Sequence, residues 1–322
     1  MHHLHCLSLI LLLLVSSVPA RAETIKLSIN TLAPAASNKT LVASYFKKLV
    51  EERSHGRILP QVMEGVDTSA VQAVQDLERH KVQIVIPEIN DLRSLIPHLK
   101  IYELPFLYRN REHLRQIIDH KVGQELIITE HDHHFKLLGI WEKGTNHLLA
   151  SSPLPSPVDT RVIGYTDKVE RTSTIYFQSP SSCSTAGLFL VEKKDGWCEV
   201  TLPEAPFLAT KSGFYDLTLT RHSLSCCALL MDMLFWQQLP EDLKVIVTDA
   251  VKDATDYARD LALQSDQDAL KKITAEKQIS LHQLNFDQRQ FWRDRMLKFY
   301  SKTINEVEKS LIDQFLNYQF IN

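Results

Sequence analysis

Residues 23–63 read ETIKLSINTLAPAASNKTLVASYFKKLVEERSHGRILPQVM. Ile25, Leu27 and Ile29 alternate with other residues, the period of a strand with one buried face. The loop LAPAASN follows, and Ser37 or Asn38 is placed to cap a helix. From Leu41 to Arg53 the apolar residues Val42, Phe46, Leu49 and Val50 recur at helical spacing. Gly56 suits the left-handed position that ends a helix, and Ile58 to Met63 reads as a second strand. Strand, helix and strand in immediate succession predict α/β layering with parallel pairing.

The same alternation continues downstream. Asp67-Thr68-Ser69 caps a helix through Leu77 and Glu78, and Gln83 to Ile86 is a short apolar strand. Glu112 to Glu130 is helical in pattern, and Lys136 to Trp141 is a further strand. The run SSPLPSP at 151–157 marks a crossing between domains, while 158–200 carry little periodicity. Order returns at Phe214. Pro240, followed by Glu241 and Asp242, opens a long helix that continues through Val247, Ala250, Val251, Ala254 and Ala258. Residues 285–318 read as two more amphipathic helices. A chain of 322 residues accommodates two domains of ordinary size.

The first 22 residues have a different character. An apolar stretch from Leu7 to Val15 is followed by small residues, and Ala20-Arg21-Ala22 fits a cleavage site with Glu23 as the new N-terminus. The stretch is too short for a membrane-spanning helix. The expectation is an exported protein, with the signal peptide 1–22 removed after Ala22. Four cysteines then remain: Cys183, Cys198, Cys226 and Cys227. Disulfides and buried thiols both stay open, although a bridge between the neighbours Cys226 and Cys227 would be strained.

Composition narrows the chemistry. Hydrophobic residues make up 44% and charged residues 23% of the chain, enough apolar side chain for a packed core. A net charge of −3 gives no basic field to attract a phosphate backbone, which excludes nucleic acid as the expected partner. The sequence contains no G-x-S-x-G elbow, P-loop, H-E-x-x-H or G-x-G-x-x-G. His131, Asp132, His133 and His134 form the densest set of potential metal ligands. A loop of histidines at a helix end is more simply a solvated cap than a zinc site, so neither a metal nor a cofactor is expected.

Several segments together resemble one family, the extracytoplasmic solute-binding proteins of TRAP transporters of the dicarboxylate-binding type. They are KLSIN…ASYFKKLVEERSHGRI, QDLERHKVQIVIPE…LIPHLKIYELPFLYRNREHL, LLGIWEKGTNHLLAS, KDGWCEVTLPEAPFLATKSGFYDLTLTRHS and FWQQLPEDLKVIVTDAVKDA. The resemblance implies a two-lobe type II periplasmic-binding-protein fold with crossing strands and a long inter-lobe helix. It implies lobe I from 23–145 plus about 229–270, and lobe II from 146–228 plus about 271–322. It also implies a receptor that captures a small organic anion in the inter-lobe cleft and delivers it to a membrane permease, without catalysis.

By the same resemblance Asn30 is a polar cleft residue and Glu88 an acidic one. Arg161, in TRVIG, matches the arginine that grips the ligand carboxylate, for which a planar guanidinium fork is well suited. Asn146 stands where a second arginine is common. Trp197, Cys198 and Glu199 stand where many members carry asparagine. Trp197 is positioned to stack on a ligand or fill a wall, and an added carboxylate at Glu199 would disfavour a dicarboxylate and suit an amine. Two alternatives stay open: an exported hydrolytic or metal-dependent α/β enzyme, and a two-lobe protein that has lost its ligand, the latter suggested by the divergence of 162–193.

Overall fold

The computed structural model describes residues 24–64, 68–92, 95, 99, 101–102, 104–119, 134–153, 163–164, 175–177, 188–190, 197–303 and 306–317. The opening unit forms as its pattern predicts. Strand β1 (Ile25–Asn30) leads to helix α1 (Asn38–Arg53), and β2 (Ile58–Met63) returns parallel to β1. Ser37 is the N-cap and accepts a hydrogen bond from the Thr40 backbone N–H. Gly56 has a φ of 74°, which glycine adopts without a Cβ penalty. Helix α2 (Ala70–Glu78) is capped in the same way by Ser69, and β3 (Ile84–Val85) lies parallel to β1 on its other side.

Two long strands carry the chain across the molecule. Strand β4 (Phe135–Ala150) and strand β9 (Asp216–Asp232) run antiparallel over nearly their whole length. The sequence pattern suggested a strand only over Lys136–Trp141. The observed strand extends to Ala150 because its last residues, from His147 onward, are buried, so the alternation that marks a half-exposed strand is lost. Short segments β5 (Ile163–Gly164), β6 (Ile175–Phe177) and β7 (Leu188–Leu190) form a separate small sheet. Strand β8 (Trp197–Thr201) pairs antiparallel with the end of β4, and β10 (Ser280–Gln283) pairs parallel with the start of β9. The main sheet has the order β2-β1-β3-β9-β4-β8, with β10 beside β9. Within the described residues of the main sheet, parallel pairing is confined to the β1–β2–β3 group and to β10 with β9. The crossing strands are antiparallel.

The helices cover this frame. Helix α3 (Arg111–Asp119) follows the LPF segment, and α4 (Ala205–Ser212) follows β8. A short α5 (Met233–Gln238) leads to α6 (Glu241–Glu276), whose 36 residues span ~54 Å. Pro240 and the acids Glu241 and Asp242 mark its start. Its first half packs Leu243, Val247, Ala250, Ala254 and Ala258 onto β1, α1 and Trp141. Its last turns place Ile273 in a second core with Leu149, Val200, Leu208 and Leu217. One helix thus backs both ends of the crossing strands.

The C-terminal helices α7 (Phe286–Thr303) and α8 (Glu306–Asn317) were expected to accompany lobe II. Their Trp292, Met296, Tyr300 and Phe315 join the core that holds Tyr102, Leu107, Tyr108 and Leu114, and α7 also runs beside β5. The Tyr300 hydroxyl donates to the Pro105 carbonyl at 2.8 Å, and Phe315 sits edge-on to Tyr102 and Tyr108. Cys226 and Cys227 point to opposite faces of β9, into different cores, as neighbours on a strand must. Neither is in a disulfide. Among the described residues no helix is long and apolar enough to cross a membrane.

Candidate functional site

The carboxyl ends of β1 and β3 bring Asn30 and Glu88 together. Asn30 is buried, its side-chain oxygen accepts the Leu32 N–H at 3.1 Å, and its carbonyl accepts the Ile86 N–H. Glu88 follows Pro87 and forms a backbone bridge to Cys227 on β9. The first turn of α1 drives Lys39 into the same place. Its ammonium donates to the Ile86 carbonyl at 3.1 Å and to Glu88 Oε1 at 2.9 Å. From β4, Lys143 approaches Glu88 Oε2 at 3.1 Å and Glu204 Oε1, beside α4, at 3.9 Å.

Charge is balanced within this group. Burial alone would raise the Glu88 pKa, but Lys143 and Lys39 outweigh it and hold the carboxylate below its ordinary range. Burial would lower the Lys143 pKa, yet Glu88 and Glu204 raise it, so the ammonium stays charged. Lys143 therefore ties an acid at the end of β3 to one at the start of α4, from opposite sides of the crossing strands. A pocket of about 330 Å³ opens beside this group, lined by Leu32, Lys39, Ser69, Glu88 and Asp91 among others.

Asn146 and Glu199 belong to a second polar group on the crossing strands. Asn146 lies opposite Ser223 on β9 and Thr201 on β8. Its amide donates to Ser223 Oγ at 3.0 Å, and Ser223 Oγ donates to Glu199 Oε1 at 3.1 Å. His222 Nε2 meets the same oxygen at 2.7 Å, and its Nδ1 meets Thr220 Oγ1 at 2.6 Å. The expectation placed Glu199 as a carboxylate facing a ligand. The structure seats it as a buried acceptor shared by His222 and Ser223. Trp197 begins β8 opposite Ala150. Arg161 lies outside the described residues, as do His131, His133 and Cys183.

A third group locks α3 to both the crossing strand and the long helix. Arg111 Nε and Arg115 Nε each contact Glu142 on β4 at 2.8 Å. Arg111 also reaches Thr145 and Asp266, and the Thr145 N–H donates to Asp266 at 3.2 Å. Burial holds the Asp266 pKa above its ordinary value, against the lowering effect of Arg111. Arg259 on α6 makes a two-pronged pair with Asp119 of α3 at 2.6 and 2.9 Å. Among the described residues no three His, Cys, Asp or Glu side chains converge as a metal site.

Lys39, Lys143, His222 and the Arg111 group are absent from the sequence expectation. Lys39 carries one weak signal, a lysine in the first turn of a helix where the dipole disfavours it. The partners of Lys143 and Arg111 lie far along the chain, so spacing alone gives no sign of them.

Comparison with known proteins decides what this architecture is. Residues 29–163 and 211–306 match bacterial extracellular solute-binding protein family 7. The chain belongs to this family. Family 7 proteins are transport receptors, not enzymes. The chain is 24% identical over 291 residues to the C4-dicarboxylate-binding protein DctB of Bacillus subtilis, covering 86% of this chain and 82% of that one. It is 20% identical to the C4-dicarboxylate-binding periplasmic protein DctP of Rhodobacter capsulatus, covering 87% of each. Two solved TRAP periplasmic solute-binding proteins share the fold. That of Ochrobactrum anthropi superposes with a TM-score of 0.77 at 19% identity, covering 92% of this chain and 95% of that one. That of Sulfurospirillum deleyianum, solved with bound succinate, gives 0.71 at 22% identity, covering 92% and 100%. The fold of this family 7 chain is therefore the two-lobe type II arrangement of the TRAP receptors, with β4 and β9 as its crossing strands and α6 as its long helix.

Proposed function

We propose that this protein is a periplasmic receptor that closes on a small organic carboxylate and presents it to a TRAP-type membrane permease. The cleft is assigned to Asn30, Glu88 and Asn146, with Arg161 as the carboxylate clamp and Trp197 and Glu199 along the second wall. Lobe I comprises 23–145 plus about 229–270, and lobe II comprises 146–228 plus about 271–322, with the C-terminal helices leaning back onto lobe I. The signal peptide is removed after Ala22.

The observation that carries this reading is the Lys39–Glu88–Lys143–Glu204 chain at the ends of the parallel strands. It neutralises Glu88, an acid expected in the cleft, so an arriving anion meets a compensated charge at that position. Support for the ligand class comes from relatives named for C4-dicarboxylates and from structural neighbours with bound succinate, D-glucuronate and galactonate. With Asn146 in place of a second guanidinium, the site favours one strong carboxylate contact supplemented by hydroxyl contacts, which ranks sugar acids above dicarboxylates.

A thermal-shift screen of the mature protein with succinate, glucuronate and galactonate tests the assignment. At least one acid is expected to raise the melting temperature, and Arg161→Ala should weaken its binding by about 2–5 kcal/mol. Stabilisation that survives unchanged in Arg161→Ala would remove the clamp from the account. Silence across the acids would remove the ligand class.

A further inference from the structure

A second cavity, of about 520 Å³, lies apart from the pocket beside Glu88, with His222 and Ser223, the partners of Glu199 and Asn146, in its wall. None of the residues lining it also lines the pocket beside Glu88. It forms where β4 and β9 lose register between Asn146 and Leu148, under the last turns of α6 and beside the starts of α3 and α7. Four arginines, Arg109, Arg111, Arg221 and Arg289, face it. Among the described residues its lining holds one carboxylate, Asp266, already bound to Arg111 and to the Thr145 N–H. The rest of the wall combines leucines from several elements, including Leu219, Leu263 and Leu284, with polar groups such as Asn110, Thr145 and Gln267.

Two features show that the cationic side is held in place. Arg221 is exposed and has a φ of 47°, a conformation costly for a residue with a Cβ. Its N–H donates to His147 Nδ1 at 3.2 Å, and Arg289 Nη1 donates to the carbonyls of Thr220 and Arg221 at 2.6 and 3.1 Å. The two guanidinium-bearing residues, Arg221 and Arg289, are thereby fixed to one another in the cavity wall. Burial and the neighbouring charges of Arg221 and Arg293 depress the Arg289 pKa. Like charges gathered against an apolar wall are stabilised by an anion with a carbon body, and the volume falls in the range of small-molecule sites.

The geometry points to a second ligand site at the crossing-strand bulge, which takes a monoanionic organic acid with an apolar chain, its head group on Arg221 and Arg289 and its tail among the leucines. The site does not use Asn30, Glu88 or Arg161, and it meets the cleft assignment only through His222 and Ser223, which hold Glu199 and Asn146. An occupant would touch both crossing strands and the long helix, and would therefore bias how the two lobes sit.

Octanoate is the probe, with 1-octanol and sulfate as controls, titrated calorimetrically into the full mature protein. Octanoate should bind saturably, and the controls should not. Arg221→Gln should weaken it by roughly tenfold or more. Leu284→Trp, which fills the cavity without touching the strained bulge, should do the same. Arg161→Ala should leave it unchanged. The site is overturned if octanoate does not saturate, or if sulfate or octanol matches it. It is equally overturned if binding is lost in Arg161→Ala and kept in Arg221→Gln and Leu284→Trp, because the acid would then occupy the cleft.

Discussion

His147 shows how a single residue at the bulge sets the conditions under which the protein is stable. Its ring is buried, and Nδ1 accepts the Arg221 N–H, so protonation there would break a hydrogen bond and bury a charge. Burial, then His222, Arg221 and Arg111, hold its pKa well below 6.5. Below pH 6.5 the unfolded chain takes up a proton that the folded chain refuses, so stability falls as pH drops. The fall approaches ~1.4 kcal/mol per pH unit until the folded-state pKa is reached. Gln keeps an acceptor and does not titrate. His147→Gln should therefore flatten the decline in urea-unfolding free energy between pH 6.5 and 5, and an unchanged slope would show that this histidine titrates freely in the folded state. None of this was legible in KGTNH, where the histidine has no neighbouring partner in the sequence. Asn30 and Glu88 were named through the family resemblance, since a polar residue at the end of an apolar strand is by itself an ordinary strand end.

At the scale of elements, the meeting of β4 with α6 is close enough to need glycine. A Cβ on Gly139 would lie 3.0 Å from Val251 Cγ1, and one on Gly144 would lie 3.1 Å from Asp266 Oδ1. Gly139→Ala should cost about 1–3 kcal/mol by overpacking. Val251→Ala should cost about 1–3 kcal/mol by leaving a void. Because the two changes compensate in volume, the double variant should cost less than the sum, a coupling measurable in a denaturation cycle. Strict additivity would mean that strand and helix part freely at this point. The sequence made α1, α2 and α6 legible through their caps, Ser37, Ser69 and Pro240, and through helical spacing. Strand β9 was not legible as one element, since DLTLTRHSLSCCALLMD is buried on both faces and carries no alternation beyond Thr220. The Arg111–Glu142–Asp266 lock was equally hidden, because ion pairs across 31 and 155 residues follow from topology rather than from spacing.

For the whole molecule, the arrangement of cores explains why the lobes can move and still remain one unit. The crossing strands and α6 pass from the core around Trp141 and Ala254 to the separate core around Leu149 and Ile273. The proposed closure would bend two strands and one helix between these two cores, while a further core, which joins Leu148 and Ala150 to Tyr102 and Leu114, spans the crossing. The ligand acts by binding the closed form better than the open one. Small-angle X-ray scattering of the mature protein, with and without a saturating amount of the acid that gives the largest thermal shift, measures this most directly. The radius of gyration should fall on binding in the natural protein and stay constant in Arg161→Ala. A saturated natural protein with the same radius of gyration as the unliganded one would contradict the account.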